Sequence, residues 1–228
     1  MKPGRILLPL ACALHFAFCG WAQEASCLDS LSQNTGLPSP IEGNAVEILY
    51  DAAQYYDSLL EDIGKAQDYI MMECHIFRQD SISTRFLDAM GRRAEEGVKV
   101  YLVIDYLGST QRIEEHKLIP NQLSRKYLKP YMDKGVCIAM YNKRGLFPRE
   151  HRKLAIVDGK VAYVGGMNVT DLYLKGIEDV GEFRDKHTRV TGPAVDSLHT
   201  GFCRIWSECS EVELTGREGL PLGDASCR

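Results

Sequence analysis

The chain has 228 residues, 45% of them apolar and 25% charged, with a net charge of −4. That is room for one substantial hydrophobic core and hardly for two, in the balance of an ordinary globular protein. The mild acidity and the lack of a basic tail argue against a protein that grips nucleic acid over a broad cationic surface.

At the amino terminus, Lys2 and Arg5 precede an apolar run over 6–22, followed by Gln23, Glu24, Ala25 and Ser26. This is the layout of a secretory signal with cleavage after Ala22. The alternative is an uncleaved anchor, although the run is short for a span and contains His15. An exported chain would keep Cys27, Cys74, Cys137, Cys203, Cys209 and Cys227, an even set that permits disulfides. Cys74 and Cys137 sit in apolar strand-like runs and fit buried thiols, and no Cys/His cluster has zinc spacing. Residues 23–43 read as a polar linker, 44–215 as one folded domain and 216–228 as a tail.

Residues 45–50, a largely apolar run, predict a strand. Asp51 can cap a helix carrying Tyr55, Leu59, Leu60 and Ile63 at helical spacing. Residues 69–77 predict a buried strand, in which His75 reads as a core histidine. A second helix starts at Ser81 or Ser83 and stops at Gly97. The run 98–106 is a long apolar strand, 121–134 a helical stretch and 136–141 another strand. A hairpin spans 153–167, a strand 186–191, and Pro193 opens a last helix with Phe202 and Trp206 on it. Strands and helices alternate through the first half, so a mixed, largely parallel sheet in an α/β fold is expected.

The hairpin carries the chemistry. His151, Lys153 and Asp158 fall in an H-x-K-x4-D pattern, and Gly165, Gly166, Met167 and Asn168 follow as G-G-x-N. Residues two apart in a strand share a side, so His151 and Lys153 can enter one pocket, with Asn168 brought close by the second strand. An imidazole that attacks or donates a proton, beside an ammonium and an amide that hold anionic oxygens, suits a phosphate ester. Asp158 precedes Gly159 in a turn and reads as structural support. The two glycines keep the backbone slim where a substrate approaches. Arg144, Arg149 and Arg152, with Lys143, add local positive charge to an acidic protein.

This pattern resembles the HKD motif of the phospholipase D superfamily. Residues 43–77, 97–109, 150–173 and 183–195 are similar to the amino-terminal catalytic half of bacterial cardiolipin synthases. The resemblance implies a phospholipase D-like α/β/α sandwich acting on phosphodiesters without metal or cofactor. It makes His151 the nucleophile that forms a phosphohistidine, or the acid. Lys153 and Asn168 become phosphate ligands beside Gly165 and Gly166, and Asp185 the carboxylate that orients the imidazole. The substrate would be an anionic phospholipid at a membrane surface, with the protein exported and periplasmic or membrane-associated.

The family's reaction takes two such histidines, and these 228 residues hold one copy of the motif. A second copy would come from a dimer mate or from a partner chain. The alternatives are a secreted homodimeric nuclease, which the acidity disfavours, and an inactive half.

Overall fold

The computed structural model describes residues 40–114, 117–120, 123–142, 149–175, 183–211 and 214. The expected signal segment, most of the linker, Lys143, Arg144 and the tail lie outside the described residues. Among the described residues, no helix is long and apolar enough to cross a membrane.

A compact unit begins at Gly43. Strand β1 (Ala45–Leu49) leads into helix α1 (Ala52–Lys65), whose N-cap Asp51 accepts a hydrogen bond from the Gln54 amide at 2.8 Å. Tyr55, Tyr56, Leu59 and Ile63 form the buried stripe of α1, at spacings of three and four. Each such side chain contributes about 1.5–3 kcal/mol by leaving water. Strand β2 (Tyr69–Cys74) is buried along its whole length. Helix α2 (Ser81–Glu95) is capped by Asp80, in a reciprocal box with Ser83. Strand β3 (Lys99–Asp105), the short helix α3 (Tyr106–Thr110) and a small separate hairpin of β4 (Gln111–Glu114) and β5 (Lys117–Pro120) come next. Helix α4 (Arg125–Asp133), capped by Ser124, leads to β6 (Val136–Tyr141). The motif hairpin is β7 (Leu154–Val157) and β8 (Val161–Gly165). One turn of helix, α5 (Leu172–Lys175), then β9 (His187–Thr191) and α6 (Ala194–Cys209) complete the unit.

Seven strands form one sheet in the order β1-β9-β8-β7-β2-β3-β6. Helices α1, α2 and α4 cover one face and α6 the other, so the fold is the expected α/β/α sandwich with a mixed sheet. The balance of directions differs from expectation. Only β2–β3 and β3–β6 pair in parallel, while β1–β9, β9–β8, β8–β7 and β7–β2 are antiparallel. Element alternation from β1 through α1 to β2 suggested a parallel neighbour, but β1 crosses to the far edge and pairs with β9. The cysteines also need a correction. Cys74 is a buried free thiol, but Cys137, on the edge strand β6, is disulfide-bonded.

This topology brings the chemistry to one edge. Because β7 runs against β2, the approach to β7 meets the carboxyl end of β2, with Leu154 opposite Glu73. The same edge receives the end of β3 at Asp105, the end of β8 at Gly165 and the start of β9 at His187. The carboxyl ends of parallel strands are where open α/β sheets place their sites.

Candidate active site

His151 and Lys153 lie just before β7 rather than within it, and still share a side. The Lys153 ammonium is 3.2 Å from Nδ1 and 3.4 Å from Nε2 of His151 and donates to the His151 carbonyl at 2.6 Å. His151 is exposed, while Lys153 is 4% exposed. Burial lowers the Lys153 pKa, against the charges of Cys74, Asp185, Glu150 and Asp105. Burial and the Lys153 ammonium both lower that of His151. A neutral imidazole beside a partly desolvated cation is suited to nucleophilic attack on an anionic centre.

Asn168 is buried and fastened. Its Oδ1 accepts from the Ile76 amide at 2.9 Å, its Nδ2 donates to the Tyr173 hydroxyl at 3.3 Å, and its carbonyl accepts from Tyr56 Oη at 2.6 Å. These bonds tie the G-G-x-N loop to the end of β2 and to α1. The loop continues into a reciprocal clasp. Asp171 donates its amide to Asp80 and accepts from the Ile82 amide, each at 2.8 Å.

The glycines are required by the protein's own backbone. A Cβ on Gly165 would lie 2.4 Å from the Lys186 carbonyl and 2.6 Å from His187 Cα. One on Gly166 would meet the Asp185 carboxylate at 2.1–2.4 Å. The close neighbour is therefore the segment entering β9, where the sequence suggested an approaching substrate.

Asp158 sits at the opposite end of the hairpin from His151. Its backbone is left-handed at φ 53°, and its carboxylate accepts from the amides of Gln67, Asp68 and Tyr69 at 2.8–3.2 Å. Its contacts join the α1–β2 loop to the turn and keep it away from the phosphate position.

Asp185 does not hydrogen-bond His151 among the described contacts. Its Oδ1 accepts from the Lys186 amide at 2.7 Å, and its charge acts on Lys153. The segment around it passes beside Gly166, where the Asp185 carboxylate lies against the backbone.

The expected basic mouth is also different. Arg149 grips the wholly buried Asp105, Nη2 to Oδ1 at 2.8 Å and Nε to Oδ2 at 3.1 Å. Arg152 pairs with Glu73 at 3.0 Å and Glu150 at 3.1 Å. Both guanidiniums are occupied by carboxylates that arrive from β2, β3 and the segment before the motif, a pairing the local sequence does not reveal.

One residue was missed. His75 is not in the core. It follows the end of β2 with 17% of its side chain exposed, and its ring centroid is 4.4 Å from that of His151. The readable signal was its place immediately after a strand that can pair in parallel. His187 and His199, by contrast, are buried, with His187 stacked on Tyr55 at 3.7 Å and His199 against Tyr69. Burial depresses the His187 pKa to about 3, so it stays neutral.

Beside Asn168 and its partner Tyr173 opens a cleft of about 440 Å³, lined by Tyr50, Tyr173, Phe183, Arg184, Asp185 and Lys186 among others. Lys186 sits over the Tyr50 ring at 4.7 Å, and Tyr173 meets Phe183 at 5.8 Å.

A mixed seven-stranded sandwich with H-x-K-x4-D and G-G-x-N meeting at one sheet edge defines the phospholipase D class of fold. Residues 59–206 match the family described as "Cardiolipin synthase, PLD-like domain". The chain belongs to this family. It is 34% identical to a cardiolipin synthase of Clostridium perfringens over 172 residues, 75% of this chain and 35% of that protein. It is 34% identical to the major cardiolipin synthase of Bacillus subtilis over 176 residues, 74% of this chain and 34% of that one. The chain therefore spans about a third of the length of these relatives. Among solved structures, NucT from Helicobacter pylori superposes with a TM-score of 0.54 at 15% identity, covering 73% of this chain and 98% of that one. Nuc from Salmonella typhimurium, a phospholipase D family member, gives 0.54 at 17% identity, covering 75% and 99%. At such identities the likeness is one of fold.

Proposed function

We propose that this chain is a phospholipase D-type phosphodiesterase or phosphatidyltransferase, resembling cardiolipin synthase and working through a phosphohistidine on His151. The observation that carries the reading is Lys153. A buried ammonium whose described hydrogen bonds all go to His151 calls for an anion, and phosphate oxygens beside that imidazole would supply it. Lys153, with Asn168, would hold the anionic oxygens while His151 attacks phosphorus.

The substrate in this reading is an anionic phospholipid at a membrane surface. The cleft beside Asn168 supports it, with Tyr50 60% and Phe183 41% exposed next to Arg184 and Lys186, a mixture suited to a lipid headgroup region. The run over 6–22 fits an exported protein, periplasmic or membrane-associated. The leaving alcohol needs a proton. A second HKD motif, from a dimer mate or a partner chain, would be one source.

His151→Ala should abolish release of glycerol from labelled phosphatidylglycerol. Turnover retained in that variant would remove His151 from the mechanism and end this reading.

A further inference from the structure

His151 owes its place to its neighbours. It precedes β7 and takes no part in that strand's ladder. Among the described residues, its hydrogen bonds all run to Lys153. A nucleophile needs firmer holding, because a misplacement of about 1 Å can cost about 10² in rate.

The holding passes through Glu150, whose polar groups are all engaged. Its amide donates to Asp105 Oδ2 at 3.0 Å, and its carbonyl accepts from His75 Nδ1 at 2.9 Å. Its carboxylate reaches past His151 to the following residue. There Oε1 accepts from the Arg152 amide at 2.9 Å and from Arg152 Nε at 3.1 Å. A side chain that accepts from the amide two residues on restrains the residue between, as in an Asx-turn. The backbone is thus pinned on both sides of His151.

The pins end on the sheet. Asp105 closes β3 and is itself gripped by Arg149 and by the Gly108 amide, each at 2.8 Å. Arg152 carries the contact on to Glu73 of β2 at 3.0 Å, and His75 follows the end of the same strand. Glu150 is 5% exposed, so water competes little for these bonds.

We propose that Glu150 is a positioning residue of the site, which aims the His151 ring through the backbone on either side of it. The proposal rests on the reading of His151 as the nucleophile. The acceptor oxygen is what the role requires. Glutamine at this position keeps an oxygen for the Arg152 amide, whereas methionine fills similar space without one.

Two measurements on the whole chain separate this role from a merely structural one. The first is hydrogen exchange at the Arg152 amide, followed by NMR. That amide should be protected in the wild type and in Glu150→Gln, and should exchange about tenfold faster or more in Glu150→Met. The second is the first turnover of bis(p-nitrophenyl) phosphate. Nitrophenoxide departs without an acid, so its initial release reports the attack by His151. At saturating ester that release should slow about 10²-fold in Glu150→Met. The ester concentration giving half the rate should move by no more than about threefold, because Lys153 and Asn168 are untouched. Glu150→Gln should keep the rate within about threefold of wild type.

A folded Glu150→Met chain with the wild-type rate overturns the proposal, and so does an Arg152 amide equally protected in all three proteins. A folded Glu150→Gln chain slowed about 10²-fold also overturns it, whether or not Glu150→Met folds, since charge would then matter and not the acceptor. These outcomes leave the reading of His151 standing. A wild-type chain that releases no nitrophenoxide, or a His151→Ala chain that releases it as fast as wild type, overturns that reading and the proposal with it.

Discussion

The two ends of the β7–β8 hairpin carry letters of the same motif and could hardly differ more. At the turn, the Asp158 carboxylate is saturated by three backbone amides, and its backbone is locked in a left-handed conformation. At the open end, the His151 ring is exposed and the Lys153 ammonium touches little besides that residue. One end is finished without a ligand, while the other holds a desolvated ammonium whose described hydrogen bonds all go to His151. The H-x-K-x4-D spacing is thus two devices joined by a strand: a reactive pair, and an anchor five residues beyond Lys153 that sets where the pair stands. Satisfied hydrogen bonds gather at the end that serves the fold, and the desolvated ammonium stands at the end that serves function.

The largest effect that would test this contrast is on Lys153. Lys153→Met should cost about 10²–10³ in kcat/KM, the range for losing one aimed charge or donor in a transition state. It should cost nothing in stability. The lysine's pKa is depressed by burial, so the folded state is penalised by carrying the charge below that pKa and gains stability as pH rises through it. Methionine removes the penalty, and thermal unfolding should occur at the same or a higher temperature. A variant that unfolds well below the wild type would make Lys153 part of the scaffold and dissolve the distinction between the two ends.

Arg152 comes next, because it belongs to the scaffold although it stands inside the motif. Its partner Glu73 is wholly buried and is pushed up to about 8, by burial first, with Arg152 opposing and Glu150 adding. A carboxyl raised above its usual 4.5 keeps its proton in the folded chain after the unfolded chain has lost it. Stability therefore falls as pH rises from about 4.5 to about 8. Without Arg152 that window widens upward. Arg152→Ala should be nearly as stable as wild type at pH 5 and less stable by about 1 kcal/mol at pH 9, where the wild type can ionise Glu73 and the variant cannot. Urea titrations at the two pH values measure this, and a deficit equal at both would separate Arg152 from Glu73.

How much of this was legible depended on the distance between partners along the chain. The spacing of His151, Lys153 and Asp158, the Asp51 cap and the bounds of β6 are local, and all could be read directly. The occupation of the two arginines could not be. Asp105 is 44 residues from Arg149, and Glu73 is 79 from Arg152, so the sequence showed a basic cluster where the fold has ion pairs. His75 was hidden for a related reason. A histidine at the end of an apolar run is a core residue or an edge residue according to where the strand stops, and β2 stops at Cys74, one position earlier. The largely parallel sheet was misjudged because alternation of elements reports their sequence and not their neighbours in space.

At the anchored end, Asp158→Ala should cost about 1–3 kcal/mol, the range for leaving partly buried donors without their acceptor, and more in a backbone conformation that alanine resists. Asp158→Asn keeps one carbonyl oxygen and tolerates the left-handed conformation, so it should cost less. In both, turnover per folded molecule at low temperature should stay within a few-fold of wild type. A rate that collapses in a folded Asp158→Asn protein would place this carboxylate in the chemistry after all.

The smallest effect tests the join between scaffold and site. A methyl on Gly166 would strike the end of an exposed Asp185 side chain, which can swing aside, so Gly166→Ala should cost under about 1 kcal/mol in stability. Its meaning lies in the rate. Asp185 acts on Lys153 through its charge, holding that ammonium's pKa up against burial. Displacing the carboxylate or neutralising it with Asp185→Asn should therefore lower turnover by a similar few-fold factor, more at alkaline pH, where Lys153 begins to lose its proton. Because both changes remove one electrostatic contact, the double variant should be no slower than either single one. Effects that multiply instead would mean that Gly166 and Asp185 serve the site separately, and that Asp185 reaches the reaction by some route other than the lysine.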